Sequence, residues 1–462
     1  MKNKYDILRH LFIALFVLCP SFMKAQSGIN PAYAALLQNA LDSLREAYDV
    51  KGISAAAYIP GKGIWQGVTG VSYGSHDIDT TMIFDIGSTT KTFVAAEIFK
   101  LIEEGMFGLD DTLFDLLPPI EYVTPEVTVR QLLGHKSGLG EYLNIAWQNA
   151  MFDDLERTWY SPEAMDSFLT APTGVPGGTW NYRNTNYVLL GMIAETFRGD
   201  SLHSILRNDF LTPLSLNDTY METFETYDNP IPDNWSTPTM DPDLAVNVSS
   251  YPHEAMYSST SFAGGFFSSA ADLANWGYNL YSGNVLSETS LAEMLTFTNV
   301  PGGYFTGYGL GSMRFAADGN IYWGHAGNFF GYAASMIYDP EDSVCVALLV
   351  NQDCFSPYIA MPLMNIAMNN LSLATNLETN IPEKKMKVYP NPANDVLYIE
   401  MPEELRTNYT IQLFDMAGEM VYTEQQNKQN IFIHVNNIND GFYVLKIIAG
   451  SNMYAEKLVI EH

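Results

Sequence analysis

Basic residues and cysteines are scarce in this 462-residue chain, and each shortage excludes something. Lys and Arg number 23 against 52 Asp and Glu, a formal charge of −29. Four of those cations (Lys2, Lys4, Arg9, Lys24) and one acid (Asp6) fall within residues 1–25, so the remainder carries −32. A surface of that sign repels nucleic acid and anionic lipid, so no nucleic-acid partner is expected. Of three cysteines only Cys345 and Cys354 lie beyond residue 25, too few for a disulfide framework. Cys345 falls in the apolar run Val344 to Val350, which suits packing; pairing with Cys354 after export is the alternative. The eight histidines show no paired spacing and the cysteines do not accompany them, so neither a metal site nor a cofactor is expected. No apolar stretch has the roughly 20 residues that a membrane span needs.

The chain is otherwise of globular composition, 47% hydrophobic and 16% charged. Lys2, Lys4 and Arg9 precede a short apolar run, Leu11 to Leu18, and Ala25 follows. That order reads as a secretory signal peptide over residues 1–25. Helical spacing covers Leu36 to Leu44. Two strands, Ile53 to Ile59 and Ile64 to Gly70, flank the hairpin signal Pro60-Gly61-Lys62-Gly63. Gly87-Ser88 opens a helix with Phe93, Val94, Ile98 and Leu101 as its apolar stripe and Gly105 as its stop. Helix patterns such as Tyr187 to Phe197 and Ala270 to Tyr281 fill the middle, and four strands are expected over 309–315, 321–325, 331–338 and 343–350. Strands at both ends with helices between predict an α+β fold: one antiparallel sheet closed by its termini, flanked by helices and carrying an all-helical region. Residues 26–373 form that domain. Residues 374–387 lack a period and read as a linker, and 388–462 alternate as a small C-terminal β-sandwich.

Three patterns carry chemistry. In Ser88-Thr89-Thr90-Lys91 the two outer residues share a helical face, so Lys91 can reach the Ser88 hydroxyl. Free N–H groups at a helix start favour an alkoxide there, and a lysine in an apolar pocket loses proton affinity and can act as base. Alone the pattern also fits an ordinary capped helix. Tyr182-Arg183-Asn184, just before a helix, can present a phenol for proton relay and an amide for substrate; alone it fits plain packing. Trp323-Gly324-His325-Ala326-Gly327-Asn328 closes a strand with small residues, along which a substrate backbone could lie, and would point His325 into a cleft as relay or donor. A surface turn histidine is the plainer alternative.

The order and spacing of these motifs resemble the serine β-lactamase and penicillin-binding protein superfamily, on its class C and D-alanyl-D-alanine carboxypeptidase side. The likeness spans roughly residues 30–370 and includes Gly105 to Asp111, Val129 to Leu139 and Ala263 to Ser269. It implies Ser88 as acylated nucleophile, Lys91 and Tyr182 as base pair, and Asn184 as substrate-holding amide. The backbone N–H groups of Ser88 and Asn328 would form the oxyanion hole. His325-Ala326-Gly327 stands where many relatives have Lys-Thr-Gly, and no lysine occurs between Lys136 and Lys384. Arg314 is then the best remaining cation for a substrate carboxylate; a solvent-facing strand residue is the plainer alternative. The activity implied is that of a D-Ala-D-Ala carboxypeptidase, D-aminopeptidase or esterase. A class C-like β-lactamase, or a penicillin- or peptide-binding protein without turnover, is the alternative. Substrates would be small peptides, esters or β-lactams.

Val388-Tyr389-Pro390-Asn391-Pro392-Ala393, Gly441-Phe442-Tyr443 and Glu456 to Val459 resemble the type A sorting domain of the type IX secretion system. That implies the type IX machinery as partner and a cell-surface or extracellular destination. A carbohydrate-binding or adhesive sandwich is the alternative for this segment.

Overall fold

The computed structural model describes residues 28–462 apart from 238–244, 301, 318, 354–358, 376–386, 401–408, 417, 428–429 and 450–451. The expected signal peptide, most of the linker and Cys354 lie outside the described residues. Among the described residues no helix is long and apolar enough to cross a membrane.

The first helix, α1 (Pro31–Tyr48), starts where the Asn30 side chain accepts from Ala32 N at 2.8 Å and Pro31 presets the first turn. Its apolar stripe, Leu37, Leu41 and Leu44 among it, is buried. Strands β1 (Gly52–Ile59), β2 (Gly63–Tyr73) and β3 (His76–Asp77) follow as hairpins. At the far end of the domain come β4 (Thr298–Asn299), β5 (Phe305–Tyr308), β6 (Met313–Ala317), β7 (Asn320–Phe329), β8 (Tyr332–Tyr338) and β9 (Cys345–Val350). The nine strands form one sheet in the order β3-β2-β1-β9-β8-β7-β6-β5-β4. The antiparallel β1–β9 pair, Ile53 opposite Val350, closes N-terminal onto C-terminal strands.

Alternation along β9 explains its unbroken apolar sequence. Cys345, Ala347 and Leu349 join one core, whereas Val346, Leu348 and Val350 join the core on the opposite face. The second core is covered by α1 and the helix Ala360–Asn369. The first is covered by the inserted helical region, with α2 (Thr90–Glu103), α3 (Asn184–Arg198), α4 (Glu254–Gly264) and α5 (Ala270–Tyr281). Cys345 is a buried free thiol packed on Gly277 of α5, where a Cβ would meet its Sγ at 2.5 Å.

Two expectations shift. The strand read as 309–315 is Met313–Ala317, because Gly309 N bonds Ser312 O in a turn and Gly311 holds φ +99°. The helix opened by Gly87 begins with one 3₁₀ turn, Gly87–Thr89, before α2.

The C-terminal strands β10 (Lys387–Tyr389), β11 (Val396–Glu400), β12 (Tyr409–Asp415), β13 (Met420–Gln426), β14 (Asn430–His434), β15 (Gly441–Ala449) and β16 (Asn452–Ile460) make two sheets. Leu397, Ile399, Ile411, Leu445 and Leu458 pack between them as a separate core.

Candidate active site

The turn carrying Ser88 is wedged between α2 and β7. Gly87 adopts φ +48°, and a Cβ there would lie 2.9 Å from Asn328 N. A Cβ on Gly327 would lie 2.0 Å from Ile86 O and 2.8 Å from Ser88 N. Only glycine permits that approach, and it brings the backbone of Ser88 and of Asn328 to one small cleft. Buried Asp85 accepts from Gly87 N at 2.6 Å and fixes the turn.

One turn later Lys91 is wholly buried. Its Nζ donates to Ser88 Oγ at 3.0 Å, to Asn184 Oδ1 at 2.9 Å and to Ala263 O at 2.6 Å. Burial drives its pKa down from 10.5 to about 7, against the pull of the Glu141 carboxylate. The Tyr182 ring lies 5.0 Å from Nζ. The Tyr182 hydroxyl is buried and is favoured toward ionisation by Ser88, while burial raises its pKa overall. It makes no hydrogen bond of standard geometry among the described residues. Tyr182 and Asn184 both reach Lys91 across an extended Arg183, with α3 starting at Asn184.

Besides Gly87, Ser88, Asn184 and Asn328, the cleft is lined by Leu143, Thr260, Ala263, Gly264 and Phe329. Larger apolar hollows lie under Leu113 to Pro125 and beside α1, but neither holds the serine and lysine.

His325 lies on the same sheet face as Gly327 and close enough to Lys91 to feel its charge. It is wholly buried, covered by Tyr308 of β5. Its Nδ1 lies 2.8 Å from Ala326 O, which can only accept, so Nδ1 carries the proton and Nε2 accepts from the Tyr308 hydroxyl at 3.1 Å. Burial and the Lys91 charge lower its pKa to about 3, so the ring is neutral. Arg314 shares the cleft-side face of the sheet but is not brought to the cleft. Its guanidinium donates to Thr306 Oγ1 at 3.1 Å, Thr306 O at 2.9 Å and Asn299 Oδ1 at 2.8 Å. Sequence reading missed Glu141, whose carboxylate accepts from Asn184 N at 2.7 Å, and His135, whose ring lies 4.2 Å from that of Tyr182. Both stand more than 40 residues from their partners, so no local spacing marks them.

Residues 37–360 match the family profile described as Beta-lactamase. The chain belongs to that family. In this beta-lactamase family member, residues 387–461 match the Secretion system C-terminal sorting domain, which marks its carrier for export. Penicillin-binding protein 4* of Bacillus subtilis (strain 168) is 31% identical over 145 residues, 31% of either chain. Penicillin-binding protein 4 of Amycolatopsis lactamdurans is 27% identical over 195 residues, 39% of this chain and 47% of that one. The aligned part thus spans between about a third and a half of those curated relatives. Among solved structures, a D-stereospecific amidohydrolase from Streptomyces sp. is 28% identical with a TM-score of 0.60, covering 70% of this chain and 95% of that one. The D-amino acid amidase of Ochrobactrum anthropi SV3, at 24% identity and a TM-score of 0.63, shares the fold over 74% of this chain and 98% of its own.

Proposed function

We propose that this family member is an exported serine hydrolase that works through an acyl-enzyme on Ser88. The observation that carries the reading is Lys91: buried, 3.0 Å from Ser88 Oγ, with a pKa of about 7. A lysine poised there is neutral in a large fraction at physiological pH and can take the serine proton. Ser88 attacks the substrate carbonyl as its proton passes to Lys91, directly or by way of the Tyr182 hydroxyl. The developing oxyanion is met by the backbone N–H groups of Ser88 and Asn328. Collapse expels the leaving group, which takes the proton back from Lys91 and Tyr182. Water then repeats the sequence on the ester and frees Ser88. Asn184 presents its amide to the substrate at the cleft edge.

The cleft's charge bears on the substrate class. Among the described residues its lining carries no cation besides the adjoining Lys91, His325 is neutral, and Arg314 is engaged with Thr306 and Asn299. That supports D-aminoacyl amides and peptides, or small esters, over substrates held by a terminal carboxylate. The D-specific amidohydrolase among the relatives fits the same class. Turnover of a D-aminoacyl amide, a p-nitrophenyl ester, a D-Ala-D-Ala peptide and a penicillin is compared side by side, with Ser88→Ala as control. Activity on the first two that disappears in Ser88→Ala is the expected result. Full activity in Ser88→Ala would end the reading, and a dominant penicillin rate would replace it with the β-lactamase one.

A further inference from the structure

We propose that Glu141 is a positioning residue of this site: it turns the Asn184 amide so that the Lys91 lone pair is aimed at Ser88. The inference rests on the serine-hydrolase reading above and deepens it.

The geometry starts with the loop. Ser137 Oγ accepts from Leu139 N at 3.2 Å, and Gly138 (φ +72°) and Gly140 press on Gly174 and Thr170, where Cβ atoms would meet backbone at 2.6 Å and 2.1 Å. The Glu141 side chain is pinned as well. One oxygen accepts from Leu143 N at 3.0 Å, and the other from Asn184 N at 2.7 Å and Asn184 Nδ2 at 3.4 Å. A carboxylate only accepts, so the Asn184 amide nitrogen turns toward Glu141 and Oδ1 toward Lys91.

That orientation decides where Lys91 acts. Charged Lys91 has three N–H groups and uses all three, on Ser88 Oγ, Asn184 Oδ1 and Ala263 O. Neutral Lys91 has two N–H groups and one lone pair. Asn184 Oδ1 and Ala263 O can only accept, so they keep the two donors, and the lone pair falls on the one partner able to donate, the Ser88 hydroxyl. A flipped Asn184 amide would present its own N–H and draw the lone pair away from the serine.

Charge adds a second effect. The groups facing Lys91 are Ser88, the Tyr182 and Tyr187 rings, the neutral His135 and His325, and Glu141. Asn184 Oδ1 and Ala263 O accept from the amine, and among the charged groups described near it the Glu141 carboxylate is the one whose charge favours the protonated form. It offsets part of the burial and leaves the base near neutrality, where proton transfer is most effective.

The test is the pH profile of Ser88 labelling by a fluorophosphonate, which needs no knowledge of the substrate. Glu141→Gln keeps an acceptor for Asn184 N–H and loses the charge. Its acid limb is expected to move down by roughly half a pH unit or more, with the plateau reduced only a few-fold. Glu141→Ala loses both, so its plateau is expected to fall at least about tenfold in addition. Glu141→Asp keeps the charge without the reach; it should hold the wild-type limb with a lowered plateau, and it decides the matter if the other two do not fold. Acid limbs that superimpose on wild type in Gln and Ala would overturn the charge role. A wild-type plateau in Ala and Asp would overturn the positioning role. Labelling that persists in Ser88→Ala would instead remove the serine reading itself.

Discussion

Lys91 Nζ and Ser88 Oγ stand 3.0 Å apart, and the lysine has no exposed surface. The rate should therefore follow the neutral amine. With a pKa of about 7 in place of 10.5, kcat/KM is expected to rise with pH through about 7 and then level. Lys91→Met should lose about 10²–10⁴ in kcat/KM. It should also be more stable. Between pH 7 and 10.5 the unfolded chain binds the extra proton, so this group's cost to stability is full below pH 7 and fades as pH rises. The gain in melting temperature of Lys91→Met over wild type should be larger at pH 6 than at pH 9; a gain growing with pH would contradict a buried, proton-poor lysine.

Gly327 is the position where sequence change should most directly open the oxyanion site. An added methyl would have to displace Ile86 O, 2.0 Å away, and with it Ser88 N at 2.8 Å. Gly327→Ala is expected to lower the acylation rate by about 10²–10³, the usual effect of losing one oxyanion donor. Stopped-flow acylation with a chromogenic ester measures it. Acylation within a few-fold of wild type would mean that β7 and the Ser88 turn can part without harm.

Neither His325 nor Arg314 is expected to discriminate between ester and peptide-acid substrates. His325 holds Tyr308 and is neutral, so the pH–rate profile from 5 to 9 should show the Lys91 ionisation alone. His325→Ala removes the acceptor of a buried hydroxyl, costing about 1–3 kcal/mol of stability. It should slow ester and peptide-acid substrates equally. Arg314→Ala, by contrast, frees Thr306, Asn299 and the Phe297 ring and should leave both kcat/KM values nearly unchanged. A loss confined to the peptide acid in Arg314→Ala would return that residue to carboxylate binding.

The C-terminal sandwich has its own core, built from residues such as Leu397, Ile411 and Leu445. Truncation after residue 386 should leave a folded hydrolase with wild-type kcat/KM that is no longer delivered to the cell surface. Fractionation and a surface-accessibility assay report it; surface delivery of the truncated chain would refute the sorting role.

Much of this was legible in the chain. The Ser88–Lys91 pair is a local relation, fixed by helical spacing, and the structure keeps it. The sheet closed by both termini followed from where the strand-like segments lie, and the sorting domain from its motifs and its break in period. The double burial of β9 was not legible as such, because an apolar run looks the same whichever layers cover it. The covering of His325 was not legible either. A strand sequence fixes which face a side chain takes, but whether that face meets a cleft or a covering Tyr308 depends on a strand that the sequence reading did not find. Arg314 repeats the lesson, since Asn299 and Thr306 belong to the two strands at the sheet edge. Glu141 and His135 were not legible as site residues because their partners lie more than 40 residues away, beyond two intervening helices. Short-range spacing thus determined the Ser88–Lys91 pair, whereas long-range packing alone decided which way the amide of Asn184 faces, how dry Lys91 is, and which cations are free to meet a substrate.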